Sequence, residues 1–155
     1  MSFIVNTDEY FMQQALREAQ KAFDEGEIPI GAVVVWDNKI IARAHNQTEL
    51  LQDPTAHAEI LAITAATENI GAKYLIEATL YVTVEPCVMC IGAAFWAKIN
   101  RVVYGAEEPK VGFYKFQTIL EQHNLSLAHP KTEIKGGVLA EPARQLMQDF
   151  FKLKR

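Results

Sequence analysis

Leu80-Tyr81-Val82-Thr83-Val84-Glu85-Pro86-Cys87-Val88-Met89-Cys90 decides the fold, because its period changes in the middle. Leu80, Val82 and Val84 alternate with Tyr81 and Thr83, the period-two pattern of a strand. Glu85-Pro86 then starts a helix over about 87–97. A strand over 101–104 follows after a tight crossover, so it is expected to run parallel to the first. Cys87 and Cys90 are three apart and share one face of the helix's first turn.

Upstream, residues 8–25 read as a helix, with Met12, Ala15, Leu16, Ala19 and Phe23 on one face. Asn6 or Thr7 can cap it, Asn6 and Glu9 having capping-box spacing, and Gly26 ends it. An apolar strand over 30–36, the turn Asp37-Asn38 and a return strand over 40–45 form an antiparallel hairpin. Asp53-Pro54 reads as the start of a second helix, running to about Asn69 with Gly71 beyond its end. Downstream, residues 116–122 fit a short helix, 131–136 a last strand, and 142–153 a final helix opened by Glu141-Pro142. Leu146, Met147, Phe150 and Phe151 form its apolar stripe, with Leu146 and Met147 read as core. Phe150 and Phe151 cannot both face one narrow groove, so one is expected to be exposed and free to stack on a base.

The 155 residues fit one domain, 1–155, of α/β class, with no repeat or linker. No apolar run approaches the roughly 20 residues that span a membrane. The first seven residues lack a basic n-region and a long apolar stretch, so no signal peptide is expected. Two cysteines at metal spacing suit a reducing compartment, and the expected location is the cytoplasm. The net charge of −4 counts against a protein that coats nucleic acid without specificity. A local basic patch remains at Lys152, Lys154 and Arg155, which reads equally as a solvated helix end.

His57-Ala58-Glu59 completes a constellation with Cys87 and Cys90. Imidazole and thiolate suit Zn2+, and three protein ligands leave a fourth tetrahedral position open. A structural site wants four ligands, yet the chain has only two cysteines, and no other histidine sits at zinc-finger spacing from His57. A redox pair would need neither His57 nor Glu59. Both pieces fall at helix N-termini, whose positive dipole ends favour thiolate over thiol. Zinc lowers the pKa of water from 15.7 towards about 7. The resulting nucleophile can attack a ring carbon bearing an exocyclic amine, with Glu59 carrying the proton to the ring and then to the leaving group. His-x-Glu followed by Pro-Cys-x-x-Cys is the signature of zinc deaminases.

Thr55-Ala56-His57-Ala58-Glu59 and Thr83–Ala93 closely resemble the bacterial tRNA-specific adenosine deaminases. The resemblance extends to Glu27–Val35, Ala44-His45-Asn46, Val102–Ala106 and Asp149-Phe150-Phe151, nearly the whole chain. It implies the cytidine-deaminase-like fold, a three-layer α/β/α arrangement around a mixed five-stranded sheet. It implies a homodimer that converts adenosine to inosine at the wobble position of a tRNA anticodon stem-loop. Residue by residue, it implies zinc on His57, Cys87 and Cys90, Glu59 as proton shuttle, and Asn46 and Ala58 at the substrate. As a bare residue Asn46 equally suits a strand-end cap. Phe150 and Phe151 are candidate stacking residues for the RNA. Met89, Phe95 and Trp96 offer more apolar surface than one sheet face needs, in line with a dimer. One stretch departs from the family: Phe113-Tyr114-Lys115-Phe116 stands where small residues are usual. These aromatics can stack on single-stranded RNA or fill core, and Phe116 is read as core.

Two rival functions share parts of this chemistry. A deaminase of a free base or nucleoside, of guanine or cytosine type, would use the same zinc in a closed pocket. A zinc-stabilised binding module would have no use for Glu59 or for an open coordination position.

Overall fold

The computed structural model describes residues 7–154, so Asn6 of the expected capping box and Arg155 of the basic patch lie outside the described residues. Helix α1 (Asp8–Asp24) is capped by Thr7, whose side chain accepts a hydrogen bond from the Tyr10 amide at 3.2 Å. Strands β1 (Gly31–Trp36) and β2 (Lys39–His45) form the expected hairpin. Asp37 and Asn38, at φ 53° and 60°, make the left-handed pair that a two-residue hairpin turn requires. Then come α2 (Ala58–Ile70), β3 (Thr79–Val84), α3 (Val88–Ala97), β4 (Arg101–Ala106), α4 (Phe113–Glu121), β5 (Glu133–Lys135) and α5 (Ala140–Leu153).

The sheet has five strands in the order β2-β1-β3-β4-β5. β1 is antiparallel to both neighbours, and β3, β4 and β5 are mutually parallel, so the sheet is mixed. Strand alternation sorts the core into two layers. Val33, Val35, Tyr81 and Val103 pack with Phe11, Met12 and Ala15 of α1. Ala32, Val34, Leu80, Val82 and Val102 pack with Ala62 and Ala66 of α2 and Ile91 and Ala94 of α3. The result is the expected three-layer α/β/α fold. The approach of α1 to the sheet is close enough to require glycine at Gly31, where a Cβ would lie 2.1 Å from the Ala15 carbonyl oxygen.

Three expectations need correction. The helix read from Asp53-Pro54 begins four residues later, at Ala58. Asp53 Oδ1 instead accepts from the Thr55 amide at 2.8 Å and from Thr55 Oγ1 at 2.7 Å, closing a local turn. The helix expected over 116–122 begins at Phe113, and it is Phe113 that fills the core while Phe116 is exposed. Leu146 and Met147, both read as core, are only partly buried, and Met147 reaches a cavity on the site side of α5. Among the described residues no helix is long and apolar enough to cross a membrane.

Candidate active site

The shifted start of α2 makes His57 its N-cap residue, and Cys87 is likewise the N-cap of α3. An N-cap side chain ordinarily accepts a hydrogen bond from the helix it opens. Neither does so here, which leaves imidazole and thiol for each other. Cys90 lies one turn into α3 and is buried. The His57 Nδ1 atom stands 3.7 Å from Cys87 Sγ and 3.5 Å from Cys90 Sγ. The three donor atoms lie within 4.8 Å of one another, and they are a group that could hold a metal ion. The N-termini of α2, which follows β2, and of α3, which follows β3, thus face one point, with the positive ends of their dipoles towards it.

The electrostatics favour the anion at Cys87 and the neutral thiol at Cys90. The Cys87 thiol is pulled down to about 4, chiefly by the hydrogen bond from Cys90, with His57 adding to it. The same bond, together with burial, raises Cys90. The hydrogen bond to Cys87 raises His57. Glu59, in the first turn of α2, is 3% exposed, and burial pushes its carboxyl up to about 7.

His57, Glu59 and Cys87 open into a cavity of 680 Å3. His57, Ala58, Glu59 and Cys87 form its floor side, with Asn46, Thr48 and Gln52 on one flank and Glu108 and Val111 on the other. Asn46 is buried at the end of β2, its Nδ2 donating to the Ile28 carbonyl at 3.3 Å. Among the described residues, two buried side-chain atoms have no hydrogen-bond partner, Asn46 Oδ1 and Glu59 Oε1, and both residues line this cavity. Buried polar groups are nearly always paired, so two such acceptors lining one cavity are open to a bound molecule or to water.

Of the sequence-selected residues, His57, Ala58, Glu59, Cys87 and Asn46 meet at the cavity, with Cys90 beside it. Phe151 also lines it and is 44% exposed. Phe150 does not: it is buried against Phe23, ring centroids 6.0 Å apart, and is not available to stack on a base. Consecutive helical residues point about 100° apart, so one of the pair must turn to the core. Sequence reasoning did not single out Thr48, Gln52, Glu85 or Glu108, which also line the cavity; Val111 and Met147 fall in residues 109–116 and the C-terminal helix, the stretches expected to form the rim. Glu85 alone carried a local signal, since it sits between a strand and Pro86.

A MafB19-like deaminase family model matches residues 5–155. The chain is 43% identical to the tRNA-specific adenosine deaminase of Aquifex aeolicus (strain VF5), over 95% of each chain. It is 42% identical to that of Bacillus subtilis (strain 168), over 94% of this chain and 89% of that one. A solved structure from work on A-to-I editing by tRNA:A34 deaminases at the wobble position superposes with a TM-score of 0.80 at 40% identity, covering 88% of this chain and 97% of that one. A guanine deaminase from Nitrosomonas europaea superposes equally well, TM-score 0.81, but at 21% identity the likeness is one of fold. Full-length identity of this order, on a fold whose cavity gathers His57, Glu59 and Cys87 with Cys90 beside it, means that the chain belongs to the tRNA-specific adenosine deaminases within the MafB19-like deaminase family.

Proposed function

We propose that the protein hydrolyses adenosine to inosine and ammonia at the wobble position of a tRNA anticodon stem-loop, with Zn2+ held by His57, Cys87 and Cys90. The donor set fits that metal: one imidazole, one thiol already acidified and a second in hydrogen-bond reach of both. When bound, zinc makes water a nucleophile at neutral pH. Glu59 takes the proton from the attacking water, delivers it to the purine ring nitrogen beside C6, and then assists the departing amine. Its burial suits this work, because desolvation raises the carboxyl from its ordinary range and so makes it a better proton acceptor. Asn46 Oδ1 accepts a donor of the bound nucleoside, and Ala58, having no bulk, leaves room for the base between ligand and shuttle.

The observation that carries a polynucleotide over a free base is a second groove beside the cavity. The two share Val84, Glu108, Met147 and Phe151 as a common wall. The second groove presents Lys110, Arg144, Lys152 and Lys154 against Glu107 and Glu108, so cations outnumber carboxylates along it, with Arg144 also paired to Glu141. A flipped base in the cavity therefore has a cationic path alongside for its neighbouring phosphates, and Phe151 stands at the junction to stack on a base. A closed pocket for guanine or cytosine has no need of that path. An adenine in an anticodon loop is already unpaired and is extruded at little cost.

We further propose one deaminase domain over 1–155 that works as a cytoplasmic homodimer. The outer face of α3 supports the dimer: Val88, Met89 and Trp96 recur at helical spacing, and Trp96 is 77% exposed. The reduced state that a Cys87 and Cys90 metal site requires supports the location. The test incubates the zinc-loaded protein with an anticodon stem-loop carrying wobble adenosine, beside free adenosine, cytidine and guanine. Inosine in the stem-loop, abolished by chelation and restored by zinc, is expected. Faster turnover of a free base or nucleoside would favour the small-molecule reading.

A further inference from the structure

Two buried carboxylates outside the proposed chemistry each grip a loop of the cavity mouth. Glu27, 1% exposed, follows α1; its Oε1 accepts from the Glu49 amide at 3.0 Å and its Oε2 from the Leu50 amide at 2.8 Å. Glu85, 8% exposed, ends β3; its Oε1 accepts from the Glu108 amide at 3.2 Å and its Oε2 from the Tyr114 amide at 3.0 Å. The first gripped loop carries Asn46, Thr48, Glu49 and Gln52 on one flank of the cavity. The second carries Glu108 and Val111 on the other. Among the described residues neither carboxylate has a cation in ion-pair contact, so both are held by backbone amides alone.

We infer that Glu27 and Glu85 are positioning residues that set the width of the mouth before RNA arrives, one clamp per flank. The inference rests on the stem-loop reading. A carboxylate accepting on both oxygens fixes two amides in one plane, which a loop otherwise lacks. Glu85 also satisfies an amide in the first turn of α4, where no intrahelical acceptor exists. Space is kept for it: a Cβ on Gly112 would lie 2.1 Å from Glu85 Oε2. Preformed flanks remove ordering entropy from binding, so the clamps act on affinity ahead of the chemical step.

Two measurements on the full, zinc-loaded chain test this. In the wild type, hydrogen exchange should show protection of the amides of Glu49, Leu50, Glu108 and Tyr114, although none has a backbone acceptor from a strand or helix. In Glu27→Gln or Glu85→Gln the incoming NH2 meets a backbone N–H, and protection of the paired amides should fall. Stem-loop KM should rise about tenfold, by more than kcat falls, with zinc content at the wild-type level. Unprotected amides at those four positions in the wild type would overturn the inference. So would an unchanged KM in folded, metal-loaded variants, or a loss that follows metal content alone. The exchange arm uses no RNA, so it judges the clamps separately from the choice of substrate.

Discussion

Phe150 and Phe151 are neighbours in sequence, and truncating them should affect different properties. Phe150 is 6% exposed and packs edge-on against Phe23, tying α5 to α1. A buried phenylalanine removes roughly 200 Å2 from water, which at about 25 cal/mol per Å2 is an upper bound near 5 kcal/mol. Buried Phe→Ala changes cost about 3–5 kcal/mol, so Phe150→Ala should lose about that much. With a urea m-value of about 2 kcal/mol/M, the unfolding midpoint should drop by about 2 M. Phe151 is 44% exposed on the wall between cavity and groove. Its truncation removes the edge contact to Phe150, centroids 5.4 Å apart, at about 1 kcal/mol or less. It also removes a stacking platform worth about 1–3 kcal/mol per base, a loss of about 5- to 150-fold in stem-loop KM. Urea unfolding and stem-loop deamination on both variants separate the two effects. An unchanged stem-loop KM in Phe151→Ala would refute the reasoning, as would Phe150→Ala raising KM more than Phe151→Ala while keeping wild-type stability.

Glu59→Gln should retain a full equivalent of zinc by metal analysis and lose about 10²- to 10⁴-fold in kcat; loss of the metal would make Glu59 a ligand. Cys87→Ala should lose both zinc and activity, since a thiolate ligand cannot be spared from a three-ligand site. Asp8 receives hydrogen bonds from Arg101, Lys135 and the Tyr81 hydroxyl, and the Arg101 guanidinium foremost holds its carboxyl well below the usual range. Its stabilisation is present above an unfolded pKa near 3.9 and is lost as pH falls below it. Asp8→Asn should therefore destabilise at neutral pH and flatten the acid limb of an unfolding-versus-pH series. Trp96→Glu should shift light scattering from dimer to monomer at micromolar protein, with the zinc retained.

The chemistry of the site was local and could be read from the chain. Cys87 and Cys90 sit at a spacing that one helical turn converts into a shared face, and His57 and Glu59 both fall at the N-terminus of one helix, two residues apart. The strand at Leu80–Val84 and the helix after Pro86 follow from period and backbone restriction within a few residues. The Asp37-Asn38 hairpin is local in the same way. Even the misplaced start of α2 was a local ambiguity, because Asp53 can cap a helix or close a turn on Thr55 with the same oxygen. What only the tertiary structure decided was which faces meet. Phe113 rather than Phe116 enters the core because it is Phe113 that meets Tyr104 of β4, and Met147 and Phe151 rather than Phe150 reach the cavity because α5 takes its rotation from β3, β4 and α1, against which it packs. Glu27 reaches amides more than 20 residues away, as Glu85 does, and no spacing rule announces such a contact. Periodicity reports how a segment divides its own faces; the partner of each face, and every hydrogen bond made across the fold, exist only once the chain has packed.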